Sequence, residues 1–323
     1  MPEQLFEIAR RTFDTPEFRG IEFIESECKT IINHVPGNYL PFRWTINPYR
    51  GCSHSCAYCF ARPTHTFLDM NAGRDFESKI VVKVNAPEVL RRQLAAKRWK
   101  GEHIAMGTNT DPYQRAEGRY RLMPGIIRAL TDYRNPFSIL TKGTLILRDL
   151  PLLLEAAGVT EVGAAFSIGT LDEEAWKASE PGTPHPKKRI EAVADLNAAG
   201  IPTGVLMAPI LPGITDRPEQ LHAVVEAAIE AGATHVSPIM LHLRPGVREE
   251  FMPWLAERYP DLVPRYEQLY TKPYGPKSER DHIAQSVSDL VRRAGGTRPR
   301  PERPARWSGR SARPDEPEQL RLA

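Results

Sequence analysis

A chain of 323 residues with 41% hydrophobic and 26% charged side chains has the make-up of a folded globular protein, and no apolar run approaches the roughly 18 residues a membrane span needs. The net charge of +3 says little about partners, because residues 297–323 carry seven arginines against four acidic residues and residues 1–296 are neutral. Four cysteines are too few for a disulfide scaffold, and the start Met1-Pro2-Glu3-Gln4 lacks the basic-then-apolar order of a signal peptide, so a cytoplasmic protein without a membrane partner is expected.

Residues 1–38 show no clear period and read as a lead-in or cap. A first strand is predicted near Trp44–Asn47, followed at once by three of the four cysteines, and a helix over Pro87–Lys97 comes next. From there the sequence alternates. Short apolar runs at Ile104–Gly107, Phe137–Leu140, Val162–Ile168, Thr203–Met207 and His235–Ile239 begin 33, 25, 41 and 32 residues apart. Helix-period stretches lie between them at Pro124–Tyr133, Leu147–Ala157, Pro186–Ala199 and Pro218–Ala231. Each interval suits one strand, one crossover helix and two loops, which predicts a parallel sheet. Proline opens three of these helices, and Gly158, Gly200 and Gly232 follow helix ends as C-terminal caps would.

About six β/α units result, short of the eight in a closed barrel. The expected fold is α/β, a partial (β/α)6 TIM-like barrel over residues 39–245, with a doubly wound open sheet as the alternative. Either arrangement puts a reactive site at the carboxyl ends of the strands. Helices around Glu249–Arg258, Asp261–Tyr270 and Ser278–Ala294 form a C-terminal extension over residues 246–294, with Trp254 and Tyr259 packing on the core. Residues 295–323, rich in Arg and Pro with Trp307 as a lone aromatic, are expected to be disordered.

The segment Asn47-Pro-Tyr-Arg-Gly-Cys52-Ser-His-Ser-Cys56-Ala-Tyr-Cys59-Phe60 has the spacing C-x3-C-x2-C on the loop after the first strand. Such a loop can aim three thiolates at one iron–sulfur cluster, each on a different iron, leaving the fourth iron open to chelate a cofactor. Two other readings use the same residues. A zinc-stabilised nucleic-acid-binding module would add His54 or His65 as fourth ligand, although zinc motifs favour C-x2-C pairs separated by a longer loop. A closed electron-transfer cluster would recruit Cys28 from the polar stretch Glu25-Ser-Glu-Cys28-Lys.

The cysteine spacing, with Tyr58 directly before the third cysteine, resembles the radical S-adenosylmethionine (SAM) superfamily. The longer stretch from Asn47 through Tyr58-Cys-Phe-Ala-Arg62 is similar to the branch containing spore photoproduct lyase and its DNA repair photolyase-like relatives, over roughly residues 40–245. The resemblance implies a [4Fe–4S] cluster on Cys52, Cys56 and Cys59. It also implies S-adenosyl-L-methionine as cofactor, reductive cleavage of SAM to a 5′-deoxyadenosyl radical that abstracts hydrogen from substrate, and an electron donor such as a flavodoxin or ferredoxin. It further implies SAM contacts at Tyr58, at Thr110 in Gly107-Thr-Asn-Thr110-Asp111-Pro, at Lys142 for the carboxylate, at Ser167 for the ribose and at Ala208 beside the adenine. Read as plain residues, Thr110 fits an Asx/Pro turn, Lys142 a solvated loop, Ser167 a backbone-satisfied strand serine and Ala208 core packing. Arg189 reads as a solvated basic face or, less readily, an anion contact, and His235 and His242 as structural histidines or substrate contacts.

The chain departs from that branch in one respect. Its repair enzymes return hydrogen through a cysteine near the end of the second barrel strand, where this sequence has Met106-Gly-Thr108-Asn-Thr110 and no cysteine anywhere after Cys59. A threonine O–H bond is too strong to replace it. Thymine-dimer repair is therefore not expected, while nucleic acid stays open as a substrate, with the arginine tail able to meet phosphates.

Overall fold

Six strands of the chain lie side by side in the order in which they are synthesised. The computed structural model describes residues 9–37 and 40–297. Its strands are β1 (Ala9–Thr12), β2 (Glu22–Ser26), β3 (Ile32–His34), β4 (Trp44–Ile46), β5 (Tyr49–Arg50), β6 (Lys79–Lys83), β7 (Ile104–Met106), β8 (Phe137–Thr141), β9 (Val162–Ser167), β10 (Thr203–Ile210) and β11 (Val236–Met240). The larger sheet runs β11-β10-β9-β8-β7-β4-β3. Every neighbouring pair from β4 to β11 is parallel, and only β3 joins antiparallel, on β4. The order never reverses, so the sheet has no topological switch point and is not doubly wound. Among the described residues β3 and β11 stand at opposite edges, and the sheet is open.

The strands lie where the apolar runs put them because a parallel sheet is covered on both faces, which calls for continuous rather than alternating hydrophobicity. Ile104, Ala105 and Met106 are all buried, as are Val162, Gly163, Ala164, Phe166 and Ser167. Helices Leu122–Asp132, Leu150–Ala157, Pro186–Ala198 and Pro218–Glu230 cover the sheet. The first sinks Leu122, Ile126, Ile127 and Leu130, and each such fully buried chain contributes about 1.5–3 kcal/mol. It starts two residues before the expected Pro124 because the Glu117 carboxylate accepts the backbone N–H groups of Leu122 and Met123, occupying free donors of its first turn. Gly200 and Gly232 have φ of +95° and +71°, as the expected caps require; Gly158, at −66°, stays right-handed.

Residues 9–37 hold more order than the sequence suggests. A second sheet, β1-β2-β6-β5, draws on them and on Lys79–Lys83, a strand the sequence reading passes over. In Lys-Ile-Val-Val-Lys only Ile80 and Val82 are fully buried, the alternation of a sheet packed on one face. This sheet flanks the cysteine loop, since β5 directly precedes it.

After β11, helices Arg248–Arg258, Val263–Leu269 and Lys277–Arg293 lie close to where the sequence predicts helices, and Trp254 donates to the carbonyl of Ala178 at 3.1 Å. Among the described residues no helix is long and apolar enough to cross a membrane. Of the expected tail, residues 298–323 lie outside the described residues.

Candidate active site at the strand carboxyl ends

The loops that follow the parallel strands surround one cavity. Its wall takes in Cys52, Cys56, Tyr58 and Cys59 from the cysteine loop, Thr108, Thr110 and Asp111 after β7, Thr141 and Lys142 at the end of β8, Ser167 from β9, Ala208 from β10, and Ile239 to His242 at and after the end of β11. All eight residues singled out in the sequence for cluster or SAM contacts are therefore brought together. Of the fourth ligands named by the rival readings, Cys28 and His65 do not line the cavity, whereas His54 does, with its Nδ1 3.4 Å from the Asp111 carboxylate. Cys28 exchanges backbone hydrogen bonds with the Asn85 side chain, and His65 Nε2 lies 3.0 Å from the carbonyl of Lys79. His235 packs over Gly204, away from the cavity, whereas His242 is part of its wall.

The cysteine loop is fastened by its backbone. Cys52 N–H donates to Phe76 O at 2.9 Å, Ala57 N–H to Ser179 O at 2.9 Å, and Gly182 N–H to His54 O at 3.1 Å. Thr110 Oγ1 donates to Gly51 O at 2.7 Å and accepts from Gln114 Nε2 at 2.9 Å, while Gln114 Oε1 accepts Ser53 N–H at 2.9 Å. Buried Arg62 places Nε and Nη2 on Cys56 O at 3.1 and 3.0 Å, reaches Ala72 O and Gly73 O with Nη1, and pairs with Glu77. Backbone carbonyls and amides are thus committed, and the thiols are what the loop presents. Gly51, at φ +79°, allows this closeness: a Cβ there would come within 2.8 Å of Phe76 O.

This donor set fits an iron–sulfur cluster. The three cysteines are free thiols. Burial pushes the Cys52 thiol well up, raises Cys56 to about 12 and raises Cys59, so three thiolates here call for positive charge among them. Among the described residues no three His, Cys, Asp or Glu side chains are arranged to hold a single metal ion.

The strand ends form a polar wall opposite the loop. Asp111 Oδ1 accepts from Thr141 Oγ1 at 2.6 Å, and Oδ2 accepts Lys142 N–H at 2.6 Å and lies 3.4 Å from His54 Nδ1. Burial acts to raise the Asp111 carboxyl, but His54, Thr141 and the Lys142 amide outweigh it and hold the group at about 2. Its folded value lies below the ordinary aspartate value of 3.8, so the stability it contributes is present above pH 3.8 and is lost as pH falls toward 2. We expect Asp111→Asn to cost about 2 kcal/mol at neutral pH and to flatten the acid limb of the stability profile over that window, measured by denaturant melts of the metal-free chain.

Lys142 Nζ donates to Ser167 Oγ at 2.8 Å and stands 5.5 Å over the Tyr58 ring, and Ser167 Oγ donates to Ala208 O at 2.7 Å. Lys142 is thus not the freely solvated lysine of the plain reading. Arg189 is not the solvated basic face the sequence suggests either: it is 1% exposed and ion-paired with Glu180, which also accepts the Tyr58 hydroxyl. Burial acts to raise the Glu180 carboxyl, yet Arg189, Lys142 and Tyr58 hold it below the ordinary glutamate value.

Sequence reasoning gave no role to Arg62, Gln114, Glu180 or Asn47, the last of which accepts Asn109 N–H on its side-chain oxygen at 3.1 Å. Arg62 and Asn47 lie inside the quoted motif and Gln114 just beyond Thr110-Asp111, so proximity to a motif was an available signal; Glu180 had none.

A family model described as the radical SAM superfamily matches residues 46–228. An uncharacterized protein of Mycobacterium tuberculosis is 50% identical over 296 residues, covering 90% of this chain and 87% of that protein. An uncharacterized protein of Methanocaldococcus jannaschii is 34% identical over 198 residues, 61% of this chain and 70% of that one. A doubly substituted spore photoproduct lyase with bound AdoMet and dinucleoside spore photoproduct superposes with a TM-score of 0.64 at 13% identity, over 89% of this chain and 85% of that chain. The same lyase complexed with dinucleoside spore photoproduct gives 0.63 at 14%, over 87% and 83%. At such identities the likeness is one of fold.

Proposed function

The chain belongs to the radical SAM superfamily of enzymes, and on that premise we propose that Cys52, Cys56 and Cys59 hold a [4Fe–4S] cluster whose open iron receives S-adenosyl-L-methionine. The observation that carries this reading is the convergence of those three thiols with Tyr58, Thr110, Lys142, Ser167 and Ala208 on one cavity at the ends of parallel strands. When bound, cluster and SAM supply one-electron cleavage of the cofactor to methionine and a 5′-deoxyadenosyl radical that takes hydrogen from a substrate. The open sheet of six parallel strands is, on this reading, the partial (β/α)6 barrel of residues 39–245, with residues 1–38 leading in and 246–294 extending it.

The chain's own residues bind, orient and exclude water. Lys142 brings a cation to the cofactor carboxylate, and Ser167 offers its hydroxyl to the ribose. Ala208, small and beside cis-linked Pro209, leaves room for the adenine. Thr110 meets the amino group through the oxygen it already shares between Gly51 and Gln114. A reductant such as a flavodoxin or ferredoxin supplies the electron. Nucleic acid is the substrate class we would try first, given the fold likeness to a lyase bound to a dinucleoside. Thymine-dimer repair is not proposed, because the chain has no cysteine after Cys59 to return hydrogen.

The test is incubation of anaerobically reconstituted, reduced protein with SAM. 5′-Deoxyadenosine is expected, and its absence from a protein carrying a full complement of iron overturns the reading. Repeating the assay with and without oligonucleotides tests the substrate. Lys142→Met is expected to raise KM for SAM tenfold to a hundredfold, about 1.5–3 kcal/mol for one hydrogen bond to a charged group.

A further inference from the structure

Two buried residues that do not line the cavity hold two that do, Tyr58 and Ser167, and through Ser167 reach a third, Lys142. Glu180 is 4% exposed and lies on the connector between helices Glu173–Ser179 and Pro186–Ala198. One of its carboxylate oxygens accepts the Tyr58 hydroxyl, from the cysteine loop; the other accepts Arg189 Nη2. Thr183 Oγ1 donates to the Glu180 backbone carbonyl at 2.8 Å and accepts from Trp176 Nε1 at 2.9 Å and from Arg189 Nη2 at 2.7 Å. Arg189 in turn donates to Pro184 O and to Ser167 O, each at 2.9 Å, and Ser167 Oγ takes the ammonium of Lys142. The chain of contacts runs from the cysteine loop, through Glu180 and Arg189, to the end of β9, and returns over the Tyr58 ring through Lys142.

We propose that Glu180 is a positioning residue for the cofactor site, setting the stance of the Tyr58 ring relative to Lys142 and Ser167. The proposal rests on the SAM reading of that site. Neutralising Arg189 needs a carboxylate beside it but does not need the second oxygen to reach Tyr58. Filling the space beside Glu180 needs an aromatic ring but not its hydroxyl. The hydroxyl–carboxylate bond is thus surplus to both packing and charge balance, and what it supplies is a defined ring position. A buried network satisfied at every member holds one geometry, since each alternative leaves a polar group without a partner.

Asp and Phe separate this role from a structural one. Glu180→Asp keeps the negative charge that Arg189 requires and shortens the reach by one methylene; Tyr58→Phe keeps the ring and removes the hydroxyl. Each variant of the full chain, reconstituted with iron and sulfide, is expected to retain wild-type iron content, to lose only a few degrees of thermal midpoint and to raise KM for SAM about tenfold, with a smaller fall in kcat, as for one buried hydrogen bond to a charged group. The double variant should match either single one, because both cut the same link. In the metal-free chain, amide exchange over residues 56–60 should quicken in both, which reads the loop without the cofactor. If Glu180→Asp binds SAM as the wild type does, charge balance is its whole role and the proposal fails. Should that variant not fold, a wild-type KM in Tyr58→Phe overturns it equally. Wild-type protein that fails to cleave SAM would instead count against the functional reading.

Discussion

Cys56→Ala is expected to yield a folded chain that no longer holds its iron and produces no detectable 5′-deoxyadenosine. The two halves of this expectation have separate origins. The loop around Cys56 is held by groups that do not involve sulfur: Arg62 on the Cys56 carbonyl, Ala57 N–H on Ser179 O and Gly182 N–H on His54 O. Removing one buried sulfur should therefore cost about 1 kcal/mol, a small cavity in a chain otherwise unchanged. Cluster retention, in contrast, depends on three thiolates, each holding its own iron, and two cannot keep a cube with one corner free. Iron analysis after anaerobic reconstitution should fall from about four per chain to well below that, with the broad absorbance near ~400 nm lost in parallel. Cys28→Ala supplies the control. That thiol stands outside the cavity, so iron content and SAM cleavage should both survive. Loss of iron in Cys28→Ala would revive the four-thiolate electron-transfer reading.

Gly107→Ala is expected to be the most damaging single methyl addition near the site. Gly107 follows β7 with φ +87°, and a Cβ there would sit 1.8 Å from the carbonyl oxygen of Leu140. Two penalties combine. An L residue in that backbone region is strained by about 1–3 kcal/mol, and forcing apart two packed strand ends adds about 1–3 kcal/mol. The obstacle is backbone, which cannot swing aside as a flexible side chain would. The expected fall in thermal midpoint is about 10 °C. Whatever folded protein remains should bind SAM poorly, because Leu140 immediately precedes Thr141 and Lys142, whose positions depend on the Asp111 carboxylate. A melt matching the wild type would mean that β7 and β8 can part freely at their carboxyl ends.

The parallel strands were legible in the sequence because each signal is local. A strand covered on both faces needs a short apolar run, and a crossover helix needs its own amphipathic stretch, so Ile104–Met106, Phe137–Thr141, Val162–Ser167 and their helices declare themselves one after another. The second sheet was not legible. Its strands are short and half-exposed, and β6 pairs with β2 across more than fifty residues of intervening chain, a partnership no window of sequence can show. Boundaries also moved where a distant group intervened, as when the Glu117 carboxylate set the start of the helix at Leu122.

The site divides along the same line. By itself the sequence singled out the proposed ligand set and its place: three cysteines at fixed covalent spacing on the loop after β4 and the short β5, and candidate polar groups at the ends of the later strands. Covalent spacing and strand period are properties of consecutive residues, which is why they can be read directly. Only the tertiary structure decided how that loop is held and aimed. Arg62 proves to be its clamp, and Arg189, read as a solvated surface, is buried against Glu180. Tyr58 meets Glu180 across 122 residues of chain. Burying such groups costs desolvation that only pairing and hydrogen bonding inside the folded chain can offset, and an isolated Arg or Glu in a sequence carries no mark of whether water will be there.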